Sequence, residues 1–234
     1  MRPFRPFLWN SRSLRHFRNS MAEKHFFLVR HGETADNHNL IHQSFSVPLN
    51  ERGKQEANDV ARALALLAPD RIVTSDAERA QQTAAPLALA TGLVPESTPL
   101  LREFHRGVLL EGAHHLSWSS IVGSLGLYFH AGDRAWHYGD GENALEFRDR
   151  IEQILSELAA FPGERVVVVA HRGVINALRF RIMRGQDVHP RHFLRAAALG
   201  RIANGSITEL SYDPGRAAPW QVLRANDTRH LHRA

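Results

Sequence analysis

The chain has 234 residues, 43% of them apolar, enough for one domain with a sizeable core. No apolar run approaches the roughly 18 residues of a membrane-spanning helix, and the absence of cysteine rules out a disulfide framework, a thiolate metal site and a thiol nucleophile. The formal net charge of +5 invites a nucleic-acid reading, yet Arg2, Arg5, Arg12, Arg15 and Arg18 in the acid-free residues 1–20 account for all of it. The remaining 24 basic residues balance 24 acidic ones. Residues 1–22 are therefore a basic N-terminal extension, and residues 23–226 carry a neutral domain. The expected reading is a cytoplasmic protein whose true start is Met21 or whose extension is floppy; the alternative, from the Arg-rich, acid-free composition, is an organellar transit peptide.

Phe26-Phe27-Leu28-Val29 predicts the first buried strand, and Arg30-His31-Gly32-Glu33-Thr34 follows it directly. After a polar loop from Ala35, Asn50 caps a helix running to about Leu67, with Ala57, Val60, Ala61, Leu64 and Leu67 on its buried face. A second strand at Arg71–Ser75 leads into a helix from Asp76, capped by Ser75 or Asp76, that carries Arg79 in its first turn and ends at Gly92. Val94 to Leu101 reads as extended. Residues 104–141 have poor periodicity and many aromatic residues, glycines and histidines, which predicts a cap with a short helix around Trp118 to Leu127. A helix over Glu142 to Ala160 comes next, then the strand Val166–Ala170. His171 and a helix to about Arg184 follow, and Ile207–Leu210 and Val222–Leu223 are late strands. Residues 227–234 form a tail. Alternating strands and helices, with an apolar run such as Val166–Ala170 that suits burial on both faces, predict a three-layer α/β/α sandwich with a mostly parallel sheet and a cap insertion.

Three strand ends thus deliver Arg30 and His31, Arg79, and His171 to one edge of one sheet, where ligands of α/β folds bind. Arginines are permanently charged, bidentate partners for a phosphoryl group, whose transfer depends on positioning and charge compensation. A neutral imidazole can attack phosphorus near neutral pH, and a second, protonated one can stabilise the transferring charge. The leaving alkoxide needs a proton donor, and Glu103 enters the cap at the right place. A carboxyl beside a phosphate dianion is favoured in its protonated form, as a general acid requires.

Arg30-His31-Gly32-Glu33-Thr34, the Arg79 helix, Glu103, the His171 junction and Asn204-Gly205-Ser206-Ile207-Thr208 together resemble the histidine phosphatase superfamily, the phosphoglycerate-mutase-like clan, over residues 25 to about 212. The resemblance implies that His31 is phosphorylated transiently and that Arg30, Arg79 and His171 bind the phosphoryl group. Glu103 protonates the leaving oxygen and then activates water, and neither metal nor cofactor is implied. Asn37 falls where the family often has a phosphate-binding asparagine, and Arg106 is a candidate substrate contact. The chain departs from the family pattern at Gln43-Ser44, at Val47-Pro48-Leu49, in the spacing from Gly107 to Glu111, and at Arg172, where glycine is common.

The histidine-rich composition calls for a metal-site check. His38 with His42, and His189 with His192, have helix-compatible spacings, but no acidic partner completes a zinc pattern. Mutases of the family this chain resembles carry a longer segment between the acid and the second histidine, so the resemblance, with the compact interval from Glu103 to His171, implies hydrolysis of small phosphomonoesters as the expected activity. A cofactor-dependent phosphoglycerate mutase or related phosphosugar mutase is the alternative. The expected partner is a small phosphorylated metabolite, with no nucleic acid and no membrane.

Overall fold

The computed structural model describes residues 22–185 and 188–232, so the extension expected over residues 1–22 lies almost wholly outside the described residues. A six-stranded sheet runs in the order β3-β2-β4-β1-β5-β6. Its strands are β1 (Lys24–Arg30), β2 (Arg71–Ser75), β3 (Glu96–Thr98), β4 (Arg165–Ala170), β5 (Ile207–Tyr212) and β6 (Trp220–Asp227). The pairs β1/β4, β2/β4 and β2/β3 are parallel, while β5 and β6 add an antiparallel edge.

The layers follow from side-chain alternation along the central strands. Phe26, Leu28, Val166, Val168 and Ala170 face one side, beneath α5 (Ala144–Ala160), α6 (Arg172–Arg184) and α7 (Pro190–Leu199). Phe27, Val29, Val167 and Val169 face the other side, against α2 (Glu51–Ala65) and α3 (Glu78–Thr91). Both faces are covered, and this is why β1 and β4 read as unbroken apolar runs. Lys24, at the start of β1, is itself buried; its Nζ donates to Ala159 O at 2.6 Å and Phe161 O at 2.7 Å, satisfying the carbonyl end of α5. No helix among the described residues is long and apolar enough to cross a membrane.

The α/β sandwich and the cap match expectation; several local details differ. Neither Ser75 nor Asp76 caps α3 in the usual way: Ala77 is the N-cap residue and makes no side-chain cap bond. Asp76 is instead drawn outward to Arg102, whose Nε and Nη2 donate to its carboxylate. The polar loop holds a one-turn helix, α1 (Ala35–His38), which Thr34 caps by accepting from Asn37 N. The extended stretch expected to reach Leu101 folds over its Pro99–Leu101 end into a 3-10 turn, with Pro99 at its first position. The helix expected from Glu142 begins at Ala144, because Asn143 and Glu146 form a capping box. Helix α7 adds to the expected elements; Pro190 at its first turn and buried Phe193 and Ala197, four apart, are its signals. The tail does not begin at residue 227, since β6 includes Asp227 and residues 228–232 pack back onto the domain.

The cap holds a 3-10 turn at Val108–Leu110 and helix α4 (Trp118–Phe129), two residues longer than expected. The loop after α1 is zipped to it: Ile41 bridges His114, His42 N donates to Ala113 O, and His115 N donates to Leu40 O.

Candidate active site

Parallel pairing of β1 with β4 sets Arg30 opposite Ala170, so the next residues, His31 and His171, emerge side by side. Their ring centroids lie 5.1 Å apart, and both side chains are buried, at 3% and 0% exposure. His31 Nδ1 lies 2.8 Å from Gly32 O, so the proton is assigned to Nδ1 and Nε2 keeps its lone pair. His171 Nε2 lies 2.9 Å from Ser75 Oγ, at the end of β2, whereas its buried Nδ1 has no partner among the described residues. Burial first, then the charge of Arg79, holds both imidazoles well below the usual histidine range. Both rings are therefore neutral near neutral pH.

Gly32 allows the backbone after β1 to press against the first turn of α2. A Cβ on Gly32 would sit 2.5 Å from Gly53 O, and one on Gly53 would sit 2.1 Å from Glu33 O. Gly32 N donates to Thr83 Oγ1 at 3.0 Å, and that hydroxyl donates to Arg79 O at 2.7 Å. One threonine thus ties the His31 loop to the helical turn that carries Arg79. Arg79 is 4% exposed and donates through Nη1 to Ser44 O at 2.9 Å; Arg30 donates through Nη1 to Ile202 O at 2.6 Å. The Nε of each arginine is buried without a partner among the described residues. Two guanidinium groups and one imidazole therefore keep unused hydrogen-bonding capacity in one cradle, an arrangement that suits a phosphoryl group.

Glu103 approaches from the cap side. Its Oε2 accepts from Gly173 N at 3.0 Å and its Oε1 from Phe104 N at 2.9 Å. A Cβ at Gly173 would come within 2.3 Å of Glu103 Oε1, so glycine lets the carboxylate lie where it does. The Glu103 charge is felt at Arg30, Arg79 and Arg106. Arg106 donates through Nη1 to Ser124 Oγ of α4 at 3.1 Å, and burial foremost lowers its pKa. Asn37 joins through Asn204, whose Nδ2 donates to Asn37 Oδ1 and to His31 O, each at 3.0 Å.

The fold places the seven candidate site residues around one end of the sheet. Arg30, His31, Arg79 and His171 form the cradle, Glu103 borders it, Asn37 braces it through Asn204, and Arg106 stands on the cap beside Glu103. Sequence reasoning missed three supporting roles. Thr83 joins two motifs and is marked only by its spacing of four from Arg79. Ser75 partners His171 instead of capping a helix. Arg150 donates to Leu100 O at 2.7 Å and Arg102 O at 2.8 Å and pairs with Glu142, which braces the segment before Glu103. The structure brings no cluster of three metal-ligating side chains together among the described residues.

Known proteins are similar to this chain over most of its length. A probable phosphoglycerate mutase GpmB of Enterobacter sp. (strain 638) is 32% identical over 209 residues, covering 88% of this chain and 94% of that one. The native structure of a mycobacterial glucosyl-3-phosphoglycerate phosphatase superposes with a TM-score of 0.69 at 28% identity, covering 88% of this chain and all of that one. A putative alpha-ribazole-5'-P phosphatase from Escherichia coli shares the fold, with a TM-score of 0.72 at 23% identity over 87% of this chain and 96% of that one. The model of the histidine phosphatase superfamily, branch 1, matches residues 26–228, and the chain belongs to that superfamily.

Proposed function

We propose that the protein hydrolyses small phosphomonoesters through a phosphohistidine on His31. The observation that carries this reading is the His31 ring, with Nδ1 tied to Gly32 O and Nε2 open, between buried arginines whose Nε atoms have no partner among the described residues. In the first step Nε2 attacks phosphorus, the bond from phosphorus to the ester oxygen breaks, and the Glu103 carboxyl gives its proton to the departing alkoxide. In the second step the Glu103 carboxylate takes a proton from water as that water attacks phosphorus, and the N–P bond breaks to release phosphate. Arg30 and Arg79 compensate the phosphoryl charge throughout, and His171 hydrogen-bonds a phosphoryl oxygen.

Chelator-insensitive turnover of p-nitrophenyl phosphate is expected. Quenching turnover of a radiolabelled ester should leave an acid-labile, base-stable label on the wild type and none on His31→Ala. Absence of that label from the wild type would refute the covalent route.

The name of the Enterobacter relative favours a second reading, in which the phosphoryl group returns to a substrate. Incubation with 3-phosphoglycerate, with and without a bisphosphate, separates the two. A phosphatase releases inorganic phosphate, and a mutase yields 2-phosphoglycerate.

A further inference from the structure

Ser75 is the last residue of β2, and His171 is the first residue after β4. The parallel register of the two strands pairs Thr74 with Val169, so the serine hydroxyl and the imidazole meet at the same edge of the sheet. Both residues are fully buried, and Ser75 Oγ lies 2.9 Å from His171 Nε2. Distance alone does not say which of the two atoms donates.

The surroundings of the serine decide it. Ser75 Oγ already accepts from Ala77 N at 3.3 Å, and among the described residues its partners are that N–H and the imidazole. If Nε2 carried a proton, the hydroxyl would accept twice and its own buried proton would have no acceptor. With the hydroxyl proton directed to Nε2, both atoms are satisfied. A neutral imidazole whose Nε2 accepts carries its proton on Nδ1. Burial first, then Arg79, Arg30 and Arg150, opposes a second proton on the ring.

Nδ1 is the atom left over. It is buried and has no partner among the described residues, although His171 is the N-cap residue of α6. A lone pair on Nδ1 could accept from a first-turn N–H, as His189 does at α7 from Arg191 N. His171 makes no such cap bond, and Gly173 N donates to Glu103 instead. The oxygens of a phosphoryl dianion are acceptors alone, so they complement an Nδ1–H and not a lone pair.

We propose that Ser75 fixes His171 as the neutral Nδ1–H tautomer, so that this ring meets the transferring phosphoryl group as an uncharged donor and not as a cation. This rests on the phosphohistidine reading above and specifies how the second histidine serves it; Ser75 acts through His171, without touching substrate. The two rings then share one protonation state and play opposite parts. His31 commits its Nδ1–H to Gly32 O and offers a lone pair to phosphorus. His171 commits its lone pair to Ser75 and offers an N–H to oxygen.

The test is long-range proton–nitrogen correlation spectroscopy on histidine-labelled wild type and Ser75→Ala, each saturated with inorganic phosphate near neutral pH. Loss of signals in His171→Gln identifies the ring. Wild-type His171 should show Nδ1 protonated and Nε2 unprotonated. In Ser75→Ala that single tautomer should give way to Nε2–H or to a mixture, and kcat/KM for p-nitrophenyl phosphate should fall by about tenfold or more. A wild-type ring protonated on Nε2, or on both nitrogens, would overturn the assignment. So would Ser75→Ala that keeps the Nδ1–H tautomer, or that stays within about twofold of wild-type kcat/KM. The wild-type spectrum decides the matter even where Ser75→Ala does not fold. Failure of the covalent route reads differently, as wild type that never labels on His31 while the His171 tautomer stands.

Discussion

At the scale of single residues, Glu103 separates acid catalysis from simple charge balance. Its carboxylate is held by two backbone N–H groups, from Gly173 and Phe104, which fix it beside the cradle without giving it a cationic clamp. Glu103→Gln keeps the shape and one of the two contacts, since its NH2 cannot accept from an N–H, and it removes the transferable proton. Hydrolysis of an alkyl phosphate, whose leaving group is poor, should therefore slow by about 10²–10⁴-fold. Loss with p-nitrophenyl phosphate should be much smaller, because nitrophenolate departs without protonation. Equal losses with both esters would remove Glu103 from the acid role. The same scale shows what the sequence could and could not disclose. Arg30, His31, Arg79 and His171 were legible because strand ends announce themselves by an apolar run breaking into charge. The bonds that tie Asn37 to Asn204 and Thr83 to Gly32 join residues far apart along the chain, and no local pattern encodes such contacts.

At the scale of elements, the strands and main helices follow from periodicity, and the misses share one physical cause. Helix α7 is short, and only Pro190, Phe193 and Ala197 are buried along it, so its apolar pattern is too brief to stand out. The cap escapes detailed reading because Tyr138 packs against Gly123 and Trp136 against Gly126, contacts between distant positions. The segment after β6 has the polar composition of a tail, yet it straps the site from behind. His230 Nε2 lies 2.9 Å from Gly205 O, and His232 N donates to buried Asp59 at 2.8 Å. Gly205 N in turn donates to Arg30 O at 3.0 Å, and its neighbour Asn204 holds His31 O, so the strap fastens the turn that supports the cradle. Stopping the chain after Asp227 removes these strap hydrogen bonds and the packing of Leu231 near Gly205. The expected cost is about 2–4 kcal/mol, at roughly 1 kcal/mol for each interaction removed, and thermal denaturation should show Tm falling by several degrees. An unchanged Tm would show that the strap does not stabilise the fold.

At the scale of the whole molecule, the site opposes the stability of the fold that builds it, and pH exposes the conflict. His31, His171 and His42 all lie in or beside a cationic region. Burial foremost, then Arg106, His115 and His114, pushes His42 down to about 4. A histidine whose folded pKa is depressed binds fewer protons in the native state than in the unfolded chain. Its contribution to stability is complete above the unfolded value near 6.5 and is lost as pH falls from there towards about 4. His31 and His171, held well below the same reference, add to the slope in the same direction. Tm should therefore drop steadily between about pH 7 and pH 4.5, and His42→Gln should make that slope shallower by removing one of the groups. Inorganic phosphate should raise Tm, because an anion that binds only the native state stabilises it by mass action and offsets the repulsion among Arg30, Arg79 and their neighbours. A pH slope identical in wild type and His42→Gln would mean that this ring is already free to protonate in the folded protein, contrary to its burial beside Arg106 and His115.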